Sequence, residues 1–174
     1  MLSPEESLVI IEHAHREVHA LLAGISLEEL EEPATIGGGE WSAKDLVGHL
    51  TTWEEIALAT IDEWRAGERP SIEETFAAAG GVDARNADEV ARKSLLPASE
   101  VLRTFDETHG DLCRALRGIA AEEWGRPTGD EAREPERTFG ELLGGVLGSA
   151  AGPFQHFQAH RRDLRAFSGP RAPG

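Results

Sequence analysis

The fold is decided by residues 39–54, which read GEWSAKDLVGHLTTWE. Ser42 precedes Asp45 by three positions, the spacing of a capping box, in which each side chain bonds to the backbone N–H of the other residue. Apolar residues then recur at helical spacing, and His49 lies among them. The stretch therefore predicts the start of a long amphipathic helix that turns one imidazole towards the core.

The same start signal occurs elsewhere, as a Ser or Thr followed three residues later by Glu, at Ser3, Ser26 and Thr138. Behind the first and last of these, apolar residues recur with the period of a helix, and another such segment begins at Pro97. No alternating strand pattern competes with them. Four long amphipathic helices predict an all-α four-helix bundle. We expect a single domain over residues 1–168 and a flexible tail at 169–174.

The last predicted helix contains a proline. Its apolar pattern runs from Thr138 to Leu164, and Pro153 lies inside it. An interior proline removes a backbone hydrogen bond and usually kinks the helix. We therefore expect one helix with a bend just before His156 and His160.

Composition narrows the class of function. The 174 residues include 32 acidic and 17 basic ones, a formal net charge of −15, which repels phosphate groups. We expect no binding to nucleic acid or to anionic membranes. No apolar run approaches the roughly 20 residues that span a bilayer, and the acidic N-terminus is not a signal peptide. Cys113 is the only cysteine, which excludes an internal disulfide, and we expect a cytoplasmic protein.

Two pairs of histidines are each four residues apart, His156 with His160 and His15 with His19. This spacing places both rings on one helix face, about one turn apart, where they can hold one metal ion. His15 falls on the apolar face of the first helix and is either a core or a pocket histidine. His13 and His19 lie towards the edge of that face and are expected to be solvated. Spacing alone does not choose between the pairs.

His49 favours the pair near the C-terminus. A buried imidazole needs partners for its ring nitrogens, and a metal ion shared with His156 and His160 is one such partner. Three neutral imidazoles leave the full dipositive charge on the ion and a fourth position open, the arrangement of a catalytic site. Imidazole ligands suit several transition metals, so we expect a divalent ion such as zinc, nickel or iron.

Further candidates surround this site. His109 lies on the inward face of its helix and is either an additional ligand, a neighbour of the ligands or a core polar residue. Glu54 and Glu55 follow the inward histidine of their helix by about one and a half turns. Glu54 is a weak candidate for a catalytic base or for holding a histidine ring, whereas Glu55 is expected on a solvated face. We expect Trp53 to line a substrate pocket together with His15 and His109.

Residues 39–54 resemble the signature of the second helix in the DinB/YfiT-like superfamily. They are closest to the ClbS/DfsB-like branch, in which a Trp-Ser helix start leads to Lys-Asp, then His-Leu and Trp-Glu. Residues 153–161, PFQHFQAHR, resemble the pair of histidines in that superfamily's last helix. Asn86 and residues 97–124 are similar to the branch in spacing and character.

The resemblance implies a four-helix bundle in an up-down-down-up order, with a metal ion held by His49, His156 and His160. It implies either hydrolysis of a reactive or amide-like bond, or transfer of a low-molecular-weight thiol to an electrophile. For a thiol cofactor with carboxylates, Arg161 and Arg162 are the nearby cations that we can name.

Two alternatives stay open beside a metal-dependent enzyme that acts on a small-molecule substrate. One is a ClbS/DfsB-like resistance protein that hydrolyses or sequesters a toxic metabolite without a metal, its histidines being hydrogen-bonding pocket residues. The other is a binding bundle without catalysis. A homodimer is left open in each case.

Overall fold

A computed structural model describes residues 2–37, 39–128 and 137–169 of the chain. The helices in these ranges are α1 (Pro4–Leu22), α2 (Leu27–Glu31), α3 (Ala43–Arg65), α4 (Ile72–Ala77), α5 (Gly81–Lys93), α6 (Ala98–Arg117), α7 (Ala121–Trp124), α8 (Phe139–Val146) and α9 (His156–Ser168). The same ranges contain no β-strand, although isolated bridges join Pro127 to Thr138 and Ser149 to Gly152. The all-α fold is confirmed.

The helix starts follow the predicted caps. Ser3, Ser26, Ser42 and Thr138 each form a complete capping box with the acidic residue three positions later. Pro97 precedes α6 as predicted, without a side-chain cap. Each cap satisfies backbone N–H groups of the first helical turn and so fixes where the helix begins.

Helix α3 lies at the centre of the packing and contacts α2, α5, α6, α8 and α9. Its buried residues belong to two apolar clusters. Leu46 and Leu50 pack in one cluster with Phe105 of α6, and Trp53 packs in the other. His49 therefore lies where the two halves of the core meet along α3.

The predicted single bent helix at the C-terminal end is wrong, because α8 ends at Val146 and α9 begins only at His156. Between them, Gly152 has a φ of +135° and Phe154 a φ of +59°, and neither value is compatible with a right-handed helix. The break makes His156 the first residue of α9 rather than an interior one. The positive end of the helix dipole there disfavours a protonated imidazole.

Some expectations concern residues outside the described ranges. The tail beyond Gly169 and most of the loop expected between α7 and α8, residues 129–136, belong to this part. None of the helices in the described ranges is long and apolar enough to cross a lipid bilayer.

Candidate metal centre

Three histidines meet where α3 faces the first turns of α9. The Nε2 atoms of His49 and His156 are 3.1 Å apart, and the ring of His160 lies 4.9 Å from that of His49 and 5.1 Å from that of His156. One ring nitrogen from each residue falls within 4.8 Å of the other two. An ion at about 2.0–2.1 Å from each nitrogen holds its tetrahedral ligands about 3.4 Å apart, so the three rings need only small rotations to bind one ion.

The environment keeps these imidazoles neutral. His49 is 4% exposed, and burial, together with electrostatic interactions with the nearby His160 ring and with Lys93, lowers its pKa to about 3. Burial also lowers the pKa of His156 well below its ordinary value and lowers that of His160, although Asp163 opposes the second shift. Neutral rings keep one nitrogen lone pair available for a metal ion.

The three histidines form part of the wall of an open cavity of about 280 Å³. Its other lining side chains are mainly aromatic and apolar, and they include Trp41, Trp53 and Phe76. The Trp53 indole N–H donates to Oδ1 of Asn86, which also lines the cavity, over 3.1 Å. Trp53 thus lies where a pocket residue was expected, beside the histidines.

Glu54, His15 and His109 lie elsewhere. Glu54 and His15 line a smaller cavity of about 40 Å³, which shares His156 with the larger one. Oε1 of Glu54 lies 3.1 Å from Nδ1 of His109, whose Nε2 is 3.4 Å from Sγ of Cys113. Glu54 is therefore bonded to His109, which is not part of the group formed by His49, His156 and His160.

This buried chain of Cys113, His109 and Glu54 was missed by sequence reasoning. Burial raises the pKa of Glu54, while the hydrogen bond to His109 opposes the shift. Burial acts against a charged His109, but the hydrogen bonds with Cys113 and Glu54 outweigh it and raise the pKa of His109 to about 9. The available signal was the four-residue spacing of His109 and Cys113, which places both on one face of α6.

The histidines of α1 form a separate group. Nε2 of His15 lies 3.1 Å and Nε2 of His19 2.6 Å from the same carboxylate oxygen of Asp106, on α6. His13 and His19 are exposed, as expected. Asp106 had not been singled out, because nothing in the sequence shows that it faces α1.

The charged residues near α9 do not enter the larger cavity. Arg161 donates to Glu17 of α1 over 2.7 Å, and Arg162 is exposed. Glu55 forms an ion pair of 2.8 Å with the buried Lys93, so it is more than a solvated residue. Among the described residues that line the larger cavity there is no lysine or arginine.

Solved structures with the same fold come from two bacteria. A protein from Streptococcus pneumoniae superposes with a TM-score of 0.71 at 11% identity, covering 95% of this chain and 90% of that one. An uncharacterised protein from Clostridium difficile 630 gives a TM-score of 0.72 at 13% identity, covering 95% of each chain. At such identities the similarity shows the fold alone.

No curated protein sequence matches the chain. The sequence model of the DinB superfamily, in contrast, matches residues 4–148, a span that includes His49 and ends before His156 and His160. This match does not select a branch, so the ClbS/DfsB-like placement stays a prediction. On the extent of the match, the chain belongs to the DinB superfamily.

Proposed function

We propose that this protein binds one divalent transition metal ion (zinc, nickel or iron) through His49, His156 and His160, and uses it to hydrolyse an uncharged small molecule. One observation carries the proposal. Three neutral imidazoles converge in the wall of an open, aromatic cavity large enough for a small substrate.

The donor set fits such an ion. Three imidazole nitrogens suit zinc, nickel and iron, whereas magnesium and calcium take oxygen ligands. The rings come from two helices whose packing holds them together, so little ordering remains to be done when an ion binds. Because the three histidines line the cavity, an ion held by them would be accessible to a substrate there.

Each part of the cavity has a role in this proposal. An ion held by His49, His156 and His160 would supply Lewis acidity for the hydrolysis. Trp41 and Trp53 bind the apolar part of the substrate and exclude bulk water. Because Oδ1 of Asn86 already accepts from Trp53, the amide NH₂ of Asn86 is the group able to donate to a substrate oxygen.

The charge of the cavity favours hydrolysis over transfer of a thiol. A low-molecular-weight thiol that carries carboxylates needs cationic partners, and the described lining offers neither lysine nor arginine. Of the two cations expected for such a thiol, Arg161 is bonded to Glu17 and Arg162 is exposed, and neither lines the cavity. An uncharged substrate with an ester-like or amide-like bond suits this lining better.

The aromatic walls support a second candidate function, sequestration of a flat, uncharged metabolite without catalysis. Trp53 and Phe76 lie nearly parallel, with an interplanar angle of 9° and ring centroids 6.5 Å apart. Parallel aromatic faces favour planar ligands. In this case the histidines serve as hydrogen-bonding groups of the pocket.

Metal analysis of protein purified without an affinity tag separates the two functions. We expect a stoichiometric transition metal that a chelator removes, and hydrolysis of a neutral activated ester such as p-nitrophenyl acetate only after the metal is restored. His160→Ala should lose both properties, and the exposed His13→Ala should keep both. Metal-free wild-type protein with undiminished esterase activity would exclude the metal-dependent proposal.

A further inference from the structure

We infer that His15, His19 and Asp106 form a second site for a divalent transition metal ion. The ion would exchange with ions in solution and link α1 to α6. Its ligands are two Nε2 atoms and one carboxylate oxygen, and these lie within 4.8 Å of one another. Two imidazoles and one carboxylate are a ligand set that first-row transition metals accept.

The positions of the ligand atoms support the site. Oδ1 of Asp106 is 3.1 Å from Nε2 of His15 and 2.6 Å from Nε2 of His19. The first distance is close to the separation of about 3.4 Å between two tetrahedral ligands of one ion, and the second is about 0.8 Å shorter, so the exposed His19 side chain has to move outwards when an ion binds. Both rings direct Nε2 at the same carboxylate oxygen. An ion can therefore take the place of the hydrogen bonds to Asp106 while α1 and α6 keep their positions.

His15 is held in place by its neighbours. Its ring stacks on that of His109 with a centroid distance of 3.9 Å and an interplanar angle of 6°, and it lies 4.6 Å from the ring of Phe105. His109 is itself fixed by its contact with Glu54. A ligand ring whose orientation is set by packing loses little entropy when it binds an ion.

Electrostatics and exposure indicate an exchangeable ion. Asp106 supplies a negative charge in a chain of net charge −15. The side chains of His19 and Asp106 are 46% and 52% exposed, so solvent reaches the site directly.

Without an ion, the three side chains bond to one another, with Asp106 accepting from one or both imidazoles. The decisive question is therefore whether a metal ion displaces those protons near neutral pH. Cobalt(II) is a suitable probe, because its visible spectrum reports nitrogen and oxygen ligands and each bound equivalent can be counted.

The experiment starts from His49→Ala, which removes the proposed first centre. We expect this variant to bind one equivalent of cobalt(II). Adding Asp106→Asn or His19→Gln should lower the affinity at least ~100-fold, because even changes around a ligand cost about 10–100-fold. Adding His13→Gln, on the same helix but outside the group, should change nothing.

Other outcomes overturn the inference. A His49→Ala chain that binds no cobalt(II), or that binds it as well after Asp106→Asn, has no second site. If His49→Ala does not fold, Asp106→Asn in the wild-type chain should still lower the stoichiometry by one equivalent. If wild type and His49→Ala bind the same number of cobalt(II) equivalents, and Asp106→Asn in the wild-type chain abolishes binding, then the second site exists and the proposed function is wrong.

Discussion

The two histidine groups share one sequence pattern and differ in everything around it. His156 and His160 lie in the first turns of α9 and meet His49 in the core, whereas His15 and His19 of α1 meet Asp106 of α6, where the side chains of His19 and Asp106 are exposed. The first group contains three neutral rings on a cavity wall, and the second contains two rings and an exposed carboxylate.

The difference shows that the helix spacing supplies a pair of ligands, while the third residue decides the chemistry. A third imidazole in a buried wall keeps the full charge on an ion and directs it at a substrate. A third ligand that is an exposed carboxylate neutralises half of that charge and leaves the ion in contact with water. The two proposals therefore differ in what they ask of an ion, catalysis at the buried group and exchangeable binding at the exposed one.

The largest expected effect tests this contrast directly. His49→Ala should lower the affinity of the buried centre by well over ~100-fold, since changes next to a ligand already cost about 10–100-fold. The fold should persist, because apolar packing of the long helices supplies most of its stability. Circular dichroism and metal content of the same sample measure the two quantities.

The matched control is His19→Ala, which removes a ligand from the exposed group. It should leave the ion of the buried centre and its hydrolytic activity unchanged. Loss of helical signal in His49→Ala would identify the buried group as a structural site, and loss of activity in His19→Ala would remove the distinction between the groups.

The second effect is acid destabilisation of the metal-free protein. The pKa of His49 is about 3 in the folded chain and 6.5 as the ordinary value. Below about pH 6.5 the unfolded chain takes up a proton that the folded chain does not, so stability falls as the pH falls towards 3. Between about pH 7 and pH 5 His49 alone should cost about 2 kcal/mol, and the lowered pKa values of His156 and His160 add to this.

Urea unfolding of metal-free wild type and of His49→Gln at the two pH values measures the contribution of His49 to the free energy of unfolding. The variant should lose about 2 kcal/mol less than the wild type on acidification. Replacing the exposed His13 by Gln should leave the pH dependence as it is. Equal losses in wild type and His49→Gln would mean that His49 is protonated in the folded protein, contrary to a metal-binding role.

The buried group could be anticipated in part from the sequence. The cap at Ser42 and the apolar spacing along α3 predict that His49 faces the core, and this is what the structure shows. The interruption before His156 could not be predicted from periodicity, because Leu147 and Phe154, which lie within it, are both buried and continue the apolar pattern. The break depends on local backbone conformations at Gly152 and Phe154 that the pattern does not encode.

Pairings between helices were harder still. Asp106 and Glu54 are acidic residues like many others in this chain, and their histidine partners lie 87 and 55 positions away. Which face of α6 meets α1 depends on how the helices rotate against one another, a property of the packed core rather than of either segment. The exposed group and the chain of Glu54, His109 and Cys113 therefore emerged only from the fold.

The third effect is a loss of stability at alkaline pH, caused by the buried His109. His109 has a folded pKa of about 9 against the ordinary 6.5, so its contribution is complete below about pH 6.5 and is lost as the pH rises through 9. We expect wild type to lose about 2 kcal/mol between about pH 7 and pH 9, and His109→Gln to lose much less. Denaturation at both pH values tests this, with His13→Gln as the control. A flat profile for wild type would show that Glu54 and His109 do not form a charged pair.

The smallest expected difference is between the caps of α3 and α1, helices that each carry candidate ligands of one of the two histidine groups. Ser42 begins α3 and is 3% exposed, whereas Ser3 begins α1 at a partly exposed position. Each side-chain oxygen accepts from a backbone N–H, at Asp45 and Glu6 respectively. Water can replace the lost partner at Glu6 more readily than at Asp45, where the cap is buried. We therefore expect Ser42→Ala to cost about 2 kcal/mol and Ser3→Ala about 0.5–1 kcal/mol.

Both variants should bind metal as wild type does, because His49 lies about two turns inside α3 and the fraying of one turn does not reach it. A larger cost for Ser3→Ala in urea unfolding would contradict the assigned difference in burial, and loss of metal in Ser42→Ala would show that the cap also orients His49.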